Sequence, residues 1–419
     1  MKFKNVILGL GLSGLSFYDK LENKDDSLSI EQNVELGGYS RTIKIANYRF
    51  DYTGHFLHLK YFNNPSSIGS LGKNFECDWK KVCKKSKVLI DGSYCEAPYQ
   101  YNFGELGEKH ANLAIDSFKK RNLIENDASL ESFFKLNFGD FMCEKFFIPY
   151  NQKLYGVDLK QLSKKQISRF FPKPNESVIL NQLEAKDDNL TTYNSLFWYP
   201  INGGIDKLLL HFEHPTNLEY AYPTSIDLLS KTIYLSNRKE VRFEKLITSI
   251  PLDNLIKIIK KNINLPDIFL EASKQYAVHI GTKQIISDFK DVSWIYIPDP
   301  KVNIYRIGNY SSASELMSGS KKGMSLYIEM SSNSNDPINE AINYLTSKFS
   351  MLKNEIEVVS LNELDPGYVH FKKNQSSELN NLKNILKNYS VFTIGRYGNW
   401  DYVSMEDCIL EAQKLAEDF

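Results

Sequence analysis

The stretch MKFKNVILGLGLSGLSFYDKLE, residues 1–22, decides how the rest of the chain is interpreted. Two lysines before an apolar run are typical of an export signal, but the same letters contain GLGLSG at residues 9–14. A G-x-G-x-x-G loop binds a dinucleotide when a strand precedes it, a helix follows it and an acid lies about 20 residues on. Residues 3–8 and 27–31 predict strands, residues 12–22 predict a helix, and the second strand ends in Glu31. Because no small-x-small cleavage site follows the apolar run, the sequence favours the dinucleotide-binding loop.

The loop predicts how a dinucleotide cofactor is held. Glycine lets the backbone approach a pyrophosphate at the N-terminus of a helix, and a carboxylate at the end of the next strand can bind ribose hydroxyls. We therefore predict that Glu31 binds the ribose. The predicted contacts of the loop are Gly9, Gly11, Leu12, Ser13 and Gly14.

Composition excludes several classes of function. A chain of 419 residues predicts two or three domains, and zero net charge without long charged runs argues against nucleic acid or an anionic membrane as partner. No stretch approaches the roughly 18–20 apolar residues that span a bilayer. The five cysteines are scattered without a C-x-x-C pair, which favours free thiols, no metal site and a cytoplasmic location. His211 and His214 share a predicted helical face, but no third ligand accompanies them.

A second glycine pair reduces the number of protein families that the sequence can resemble. GGYSRT occupies residues 37–42 and YRFDYTGH residues 48–55. With the first loop and Glu31, these segments resemble the FAD-binding region of the flavoprotein superfamily that contains amine oxidases, protoporphyrinogen oxidases and UDP-galactopyranose mutases. The resemblance implies that His55 lies against the flavin. It also implies that a further segment runs beside the cofactor, namely Gly38, Tyr39, Ser40 and Arg41.

The predicted fold is α/β, with a Rossmann-like FAD-binding domain, an inserted helical domain and an antiparallel β-sheet domain. Strands are predicted near residues 231–235, 246–251 and 391–396, and an amphipathic helix at 405–417. Further strands are predicted at 282–287, 293–297, 303–310 and 324–330, joined by segments near 85–100. The expected division is 1–60, 200–260 and 385–419 for the FAD domain, 105–195 for the helices, and 61–104 with 261–384 for the sheet. Residues 185–189 predict an exposed turn.

The C-terminal stretch GRYGNWDY, residues 395–402, selects a branch of the superfamily. It resembles the signature of UDP-galactopyranose mutases, nearer the longer fungal and protozoan form. Matches to that family continue in the same order along the chain, and they imply a set of substrate-binding residues. These are Tyr99, Tyr101, Asn102, Tyr150, Asn151, Tyr155, Asn194, Trp294, Tyr296, Tyr368 and Tyr402.

The resemblance also implies a mechanism. In this family the N5 atom of reduced FAD attacks the anomeric carbon of a nucleotide sugar, expels the diphosphate, and the sugar recloses as a furanose without net redox change. Arg169 and Arg306 would clamp the diphosphate bidentately, and His55 would track flavin reduction. The helix from Met405 would favour the anionic reduced cofactor. The implied cofactor contacts at this end are Gly395, Arg396, Ser404 and Met405.

Several alternatives stay open at this point. Asn102 stands where the family commonly has Gln, Tyr155 where the fungal type has Trp, and Val369 where fungal enzymes carry Pro, so the base and sugar are not fixed. NAD(P)H or a flavodoxin-type donor would reduce the FAD. An oxidoreductase of the amine-oxidase or protoporphyrinogen-oxidase type is the alternative, and a flavoprotein that only binds nucleotide sugars is a third. A homo-oligomer also stays open, and a furanose-containing cell-surface glycan would be the destination of the product.

Overall fold

The computed structural model describes residues 1–123, 127–167, 174–182, 195–349, 351–373 and 375–419, with the side chain of Cys77 excepted. Two predicted site residues, Arg169 and Asn194, lie outside these ranges, as does the predicted turn at 185–189.

The described residues form eighteen strands and ten α-helices. The strands are β1 (Lys2–Leu8), β2 (Ser27–Glu31), β3 (Thr42–Ile45), β4 (Tyr48–Asp51), β5 (Trp79–Cys83), β6 (Ser86–Ile90), β7 (Ser93–Glu96), β8 (Leu196–Pro200), β9 (Leu218–Tyr220), β10 (Pro223–Asp227), β11 (Thr232–Leu235), β12 (Glu240–Thr248), β13 (Gln275–Thr282), β14 (Trp294–Tyr296), β15 (Ile304–Asn309), β16 (Met324–Ser331), β17 (Ile356–Leu364) and β18 (Val391–Thr393). The helices are α1 (Leu12–Lys20), α2 (Glu108–Lys119), α3 (Leu130–Met142), α4 (Ile148–Tyr155), α5 (Glu176–Leu180), α6 (Leu252–Ile258), α7 (Pro337–Lys348), α8 (Gln375–Asn388), α9 (Gly395–Gly398) and α10 (Met405–Ala416).

The first sheet carries the glycine-rich loop at its carboxyl edge. Its order is β10-β11-β12-β1-β2-β9, with β18 also paired to β12, and β1 runs parallel to both β2 and β12. Val6 packs into the core that contains α6 and α8, while Ile7 packs into the core that contains α1 and α10. β1 is continuously apolar because helices cover both faces of this sheet. The ends of β1, β12 and β18 therefore meet at one edge, where ligands bind in such sheets.

The second sheet has the order β17-β13-β16-β15-β14-β6-β7 and is antiparallel except for β14 beside β6. Neighbouring residues of its strands face two different environments, with a register shift in β15 between Ile304 and Arg306. Ile307 and Ile328 face the apolar core under α7, whereas Arg306 and Glu329, which are register partners, point to the opposite face. This alternation places charged and aromatic side chains on the face that looks toward the first sheet's loops.

A helical layer built from α2, α3 and α4 encloses a third core rich in phenylalanine. A π-helical turn, Cys143–Phe147, joins α3 to α4. Aromatic rings pack closely there: the centroids of Phe138 and Phe147 are 4.1 Å apart and stacked. The layer closes one side of the space between the two sheets.

The predicted α/β fold class is confirmed, with two local corrections. The strand predicted at 282–287 is wrong, because β13 ends at Thr282 and Ser287 begins a short 3-10 helix. The strand predicted at 391–396 ends at Thr393, and Gly395, with φ +77°, starts the turn of α9. The division into three domains stays a prediction; helix α8, which begins at residue 375, packs on the core of the first sheet.

Three further observations concern the described ranges. No helix there is long and apolar enough to cross a membrane. Cys83, Cys95, Cys143 and Cys408 are free thiols, and no group of three metal-ligating side chains occurs. His211 is structural, since its Nε2 accepts a hydrogen bond from Trp79 Nε1 at 3.0 Å.

Candidate active site

A cavity of about 1460 Å³ is lined by the carboxyl edge of the first sheet, the polar face of the second and the helical layer. It brings together most of the residues that the sequence singled out. The predicted residues in its lining are Gly9, Gly11, Leu12, Ser13, Glu31, Gly38, Tyr39, Ser40, Arg41, His55, Tyr99, Tyr101, Tyr150, Asn151, Tyr155, Trp294, Tyr296, Arg306, Tyr368, Gly395, Arg396, Tyr402, Ser404 and Met405.

The first loop is shaped for a close approach to a ligand. A Cβ at Gly14 would lie 2.0 Å from the Gly9 carbonyl oxygen, so Gly14 lets α1 pack against the end of β1. A Cβ at Gly11 would meet only the Cα of Gly38, at 4.0 Å, and would otherwise project into the cavity. Gly14 therefore serves packing, and Gly11 keeps space open for a pyrophosphate.

Glu31 is held at the end of β2 by backbone groups. Its Oε2 accepts a hydrogen bond from the Leu10 amide at 2.7 Å, and its Oε1 accepts one from the Asn33 amide at 3.0 Å. Oε1 also accepts a hydrogen bond from Asn33 Nδ2 at 3.3 Å, so Oε2 is the oxygen that keeps a further lone pair. The carboxylate is thus fixed in place and can still accept hydrogen bonds from a ribose.

The second glycine pair lies directly beside the first loop. The Gly37 amide donates to the Leu10 carbonyl at 2.8 Å, and Arg41 Nε donates to the Gly38 carbonyl at 2.7 Å. Tyr39 reaches away from this loop, because its hydroxyl accepts a hydrogen bond from the Asp365 amide at 2.9 Å. Tyr39 therefore also ties the cofactor loop to the segment that carries Tyr368.

His55 presents a neutral imidazole to the cavity. Burial lowers its pKa to about 4, and the nearby charges of Arg396 and Arg306 act in the same direction. Its Nδ1 is buried and has no partner among the described residues. A neutral ring with an unused polar atom is suited to contact a bound group.

Helix α10 begins at the cavity with a capping box. Ser404 Oγ accepts from the Asp407 amide at 3.3 Å, and Asp407 Oδ2 accepts from the Ser404 amide at 2.8 Å. Glu406 accepts hydrogen bonds from the amides of Lys60 and Phe62. The start of the helix is therefore fixed to the segment that follows His55.

Arg306 is paired with Glu329 rather than free. Arg306 Nε and Nη2 donate to the two carboxylate oxygens at 2.5 and 2.8 Å. Burial alone would raise the pKa of Glu329, but Arg306 and further hydrogen bonds hold it below its usual value. The pair is a bidentate ion pair with no net charge.

Arg396 lies among three tyrosine rings and has a different electrostatic setting. Its guanidinium carbon is 4.5 Å from the centroid of the Tyr402 ring and 5.1 Å from that of Tyr368. Its Nε is buried without a partner, and no carboxylate lies within 4.0 Å of it in the described ranges. A half-buried cation with no carboxylate nearby is a favourable place for an anion.

Aromatic side chains complete the wall next to Arg306. Tyr296 packs edge-on against Tyr150 with centroids 5.4 Å apart, and Trp294 stacks on Phe56 at the same distance. Tyr155 lies edge-on to Tyr368 at 5.8 Å. Rings in these orientations can pack on a nucleobase or a sugar face.

The predicted base pocket is only partly assembled around the cavity. The Asn102 side chain donates to the Pro98 carbonyl at 3.0 Å, and Asn102 does not line the cavity. Of the predicted cofactor residues, Gly14 is also absent from the lining. Tyr99 is fully buried with its hydroxyl 2.8 Å from His110 Nε2. Asn151 donates to the Phe147 carbonyl at 2.7 Å. Their predicted contacts with substrate stay predictions.

Sequence reasoning missed two features of the cavity. Glu329 is the counter-charge of Arg306, and the signal was that it is the one charged residue of strand β16. Lys84 and His58 form a second polar part of the cavity wall. Burial lowers the pKa of Lys84 to about 8 and that of His58 to about 4. Neither residue belongs to a motif.

The described residues fit FAD. The cavity is large, an ordered carboxylate lies about 20 residues beyond the glycine loop, and Gly11 leaves the loop open to a pyrophosphate. The unpaired Nδ1 atom of His55 lies further along the same cavity. These features match the two ends of an elongated dinucleotide.

No protein-family model and no curated protein matches the sequence significantly, so likeness rests on structure. A crystal structure of reduced UDP-galactopyranose mutase matches with TM-score 0.89 and 22% identity over 100% of this chain and 93% of that one. A candidate protoporphyrinogen oxidase from Exiguobacterium sp. 255-15 matches with TM-score 0.73 and 14% identity over 99% and 98%. Cyclohexylamine oxidase from Brevibacterium oxydans IH-35A matches with TM-score 0.66 and 12% identity over 99% and 98%. The chain therefore has the fold that UDP-galactopyranose mutase shares with these oxidases, as the sequence resemblance implied.

Proposed function

We propose that this protein is a flavin-dependent mutase that interconverts the pyranose and furanose forms of a nucleotide-diphosphate sugar, either UDP-galactose or a related sugar. The observation that carries the proposal is the joining of two sites in one cavity. A dinucleotide loop with Glu31 forms one end, and a cluster of two arginines and three tyrosines forms the other.

FAD would be held by the loop at residues 9–14, by Glu31 and by the segment at residues 38–41. When bound and reduced, FAD supplies a nucleophilic N5 atom at the sugar's anomeric carbon. NAD(P)H is the proposed reductant. Neutral His55 can accept or donate one hydrogen bond without adding charge to this part of the cavity.

The residues at the other end would stabilise the diphosphate as it leaves and returns. Arg306 would supply donors from one side and Arg396 from another, a role different from the cofactor contact that the resemblance implied for Arg396. Tyr296, Tyr368 and Tyr402 would supply hydroxyl donors. Burial raises the pKa of Tyr368 and Tyr296, so both hydroxyls keep their protons. Arg169 and Asn194 are proposed to complete the phosphate and sugar contacts.

An oxidoreductase is the second candidate function, because amine oxidases share the fold. Oxidation of an amine would not require the charge of Arg396 beside three tyrosines at the reacting end of the cavity. The cluster around Arg396 therefore favours an anionic substrate. We propose that the protein acts on a small-molecule substrate in the cytoplasm. Its product would supply the synthesis of a furanose-containing surface glycan.

The test is conversion of sugars by protein whose flavin has been reduced anaerobically with dithionite. UDP-, dTDP- and GDP-sugars would be incubated with oxidised and with reduced protein, and chromatography would separate the ring forms. We expect interconversion of one sugar by the reduced protein alone. Flavin-loaded protein that converts none of them, but consumes oxygen with an amine, would establish the oxidoreductase instead.

A further inference from the structure

The buried carboxylate of Glu329 connects two parts of the cavity that come from distant segments of the chain. It is 1% exposed and accepts four hydrogen bonds. Two come from Arg306, at 2.5 and 2.8 Å. The other two come from Thr53 Oγ1, at 2.6 Å, and from the Gly54 amide, at 3.2 Å.

The second pair of bonds places Glu329 next to His55. Thr53 and Gly54 are the two residues before His55, and the His55 amide donates to the Thr53 carbonyl at 2.7 Å. The turn that carries the imidazole is therefore fastened to strand β16 by one carboxylate. A second fastening comes from Asn362, whose Nδ2 donates to the Tyr52 carbonyl at 3.0 Å.

We infer that Glu329 is a positioning residue that holds Arg306 and the His55 turn as one rigid unit and sets the net charge of that unit. This inference deepens the proposed function and rests on it, because the unit would face the diphosphate and the flavin together. Bidentate pairing leaves Arg306 with its Nη1 group and its outer edge for a ligand. Neutralisation limits how tightly the diphosphate is held, so that it can leave and return.

The position of the Glu329 carboxylate and its negative charge contribute separately to the proposed role, and two substitutions of Glu329 distinguish these contributions. Glu329→Gln keeps the size and one acceptor oxygen but removes the charge. Glu329→Asp keeps the charge but is one methylene shorter, so it cannot span Arg306 and the Thr53–Gly54 turn together. Glu340→Gln is the control, because Glu340 accepts from the Asn303 amide at 2.8 Å and lies outside the cavity lining.

The first measurement is the dissociation constant of UDP, dTDP and GDP for the FAD-loaded proteins as a function of salt. In Glu329→Gln we expect affinity for the favoured nucleotide to rise about tenfold, with a steeper salt dependence, while kcat falls about tenfold or more. In Glu329→Asp we expect kcat to fall and the affinity to stay within about twofold. FAD content and thermal midpoints identify any variant that fails to fold.

The second measurement is the flavin midpoint potential, which needs no substrate. Loss of a buried negative charge beside the His55 turn stabilises added electrons, so Glu329→Gln should shift the potential upward, and Glu329→Asp and Glu340→Gln should not. If wild-type protein binds none of the three nucleotides, the proposed function fails, and the potential alone decides the inference. Weaker or unchanged nucleotide affinity in Glu329→Gln, or an unshifted potential, would overturn it.

Discussion

The two ends of the cavity are built in different ways. The cofactor end comes from two neighbouring segments, residues 9–14 and 31–41, and its key contacts are backbone groups such as the Leu10 amide on Glu31. The other end, which we propose binds an anion, takes Trp294 and Arg306 from the second sheet, Tyr368 from the loop after β17 and Arg396 from the short helix α9. Backbone contacts are set by glycine placement, whereas the side-chain cluster depends on tertiary packing.

This comparison shows that the net charge around an arginine in this part of the cavity cannot be predicted from the residue type alone. Arg306 and Arg396 both carry a guanidinium, yet Arg306 is neutralised by Glu329, while Arg396 packs against tyrosine rings with no carboxylate within 4.0 Å in the described ranges. We therefore expect replacement of Arg306 and replacement of Arg396 to lower the stability of the fold by different amounts. Substitutions at each end can test whether the ends act independently.

The largest effect is expected from Arg306→Met. Loss of this donor should lower kcat/KM by about 10³-fold, and the unpaired Glu329 should destabilise the fold by about 3–5 kcal/mol. Steady-state kinetics and chemical unfolding measure the two effects. The double variant Arg306→Met/Glu329→Met should recover most of the stability and none of the activity. Recovery of activity would show that Arg306 acts only through Glu329.

The cofactor end is tested by a matched pair of glycine substitutions. Gly14→Ala would place its Cβ 2.0 Å from a carbonyl oxygen and should lower the thermal midpoint as well as FAD binding. Gly11→Ala meets no atom closer than 4.0 Å and should fold normally while losing FAD affinity by about 100-fold. Flavin absorbance after gel filtration, with circular dichroism, separates the two. Full FAD retention in Gly11→Ala would refute the assigned position of the pyrophosphate.

Smaller effects are expected from Tyr368→Phe and Tyr402→Phe. Each removes one hydroxyl donor and leaves the ring that packs on Arg396, so kcat/KM should fall about tenfold while FAD content is unchanged. Titration with the nucleoside diphosphate provides the affinity. A loss of FAD in either variant would mean that the two ends are not independent.

The smallest effect concerns pH. His55, His58 and His279 all have their pKa lowered to about 4 by burial, below the ordinary value near 6.5 of the unfolded chain. The unfolded state then binds more protons between pH 6.5 and 4, so stability is full above this range and falls as the pH is lowered through it. Thermal midpoints from pH 7.5 to 4.5 measure the fall. His55→Asn should have a shallower dependence, and an equal one would contradict a neutral His55.

The sequence predicted the cofactor end more fully than the anion end. Strand β2 occupies residues 27–31 as predicted, because the pattern of strand, glycine loop, helix and acid is local. The pairing of Arg306 with Glu329 depends on the register of β15 with β16, which no local pattern encodes. Asn102 illustrates the same limit, since its amide bonds to its own turn. The error at residues 282–287 arose because β13 begins earlier, at Gln275, and ends at Thr282, before the apolar pair Ile285 and Ile286.

The most direct test of the central claim is to trap the reacting sugar on the flavin. Protein reduced anaerobically would be incubated with the nucleotide sugar that it converts and then treated with cyanoborohydride. The protein would be denatured, and the mass of the released flavin would be measured by mass spectrometry. The account predicts a flavin heavier by one hexose-derived group, formed only with reduced protein and lost in Arg306→Met. Unmodified flavin from protein that still interconverts the ring forms would contradict it.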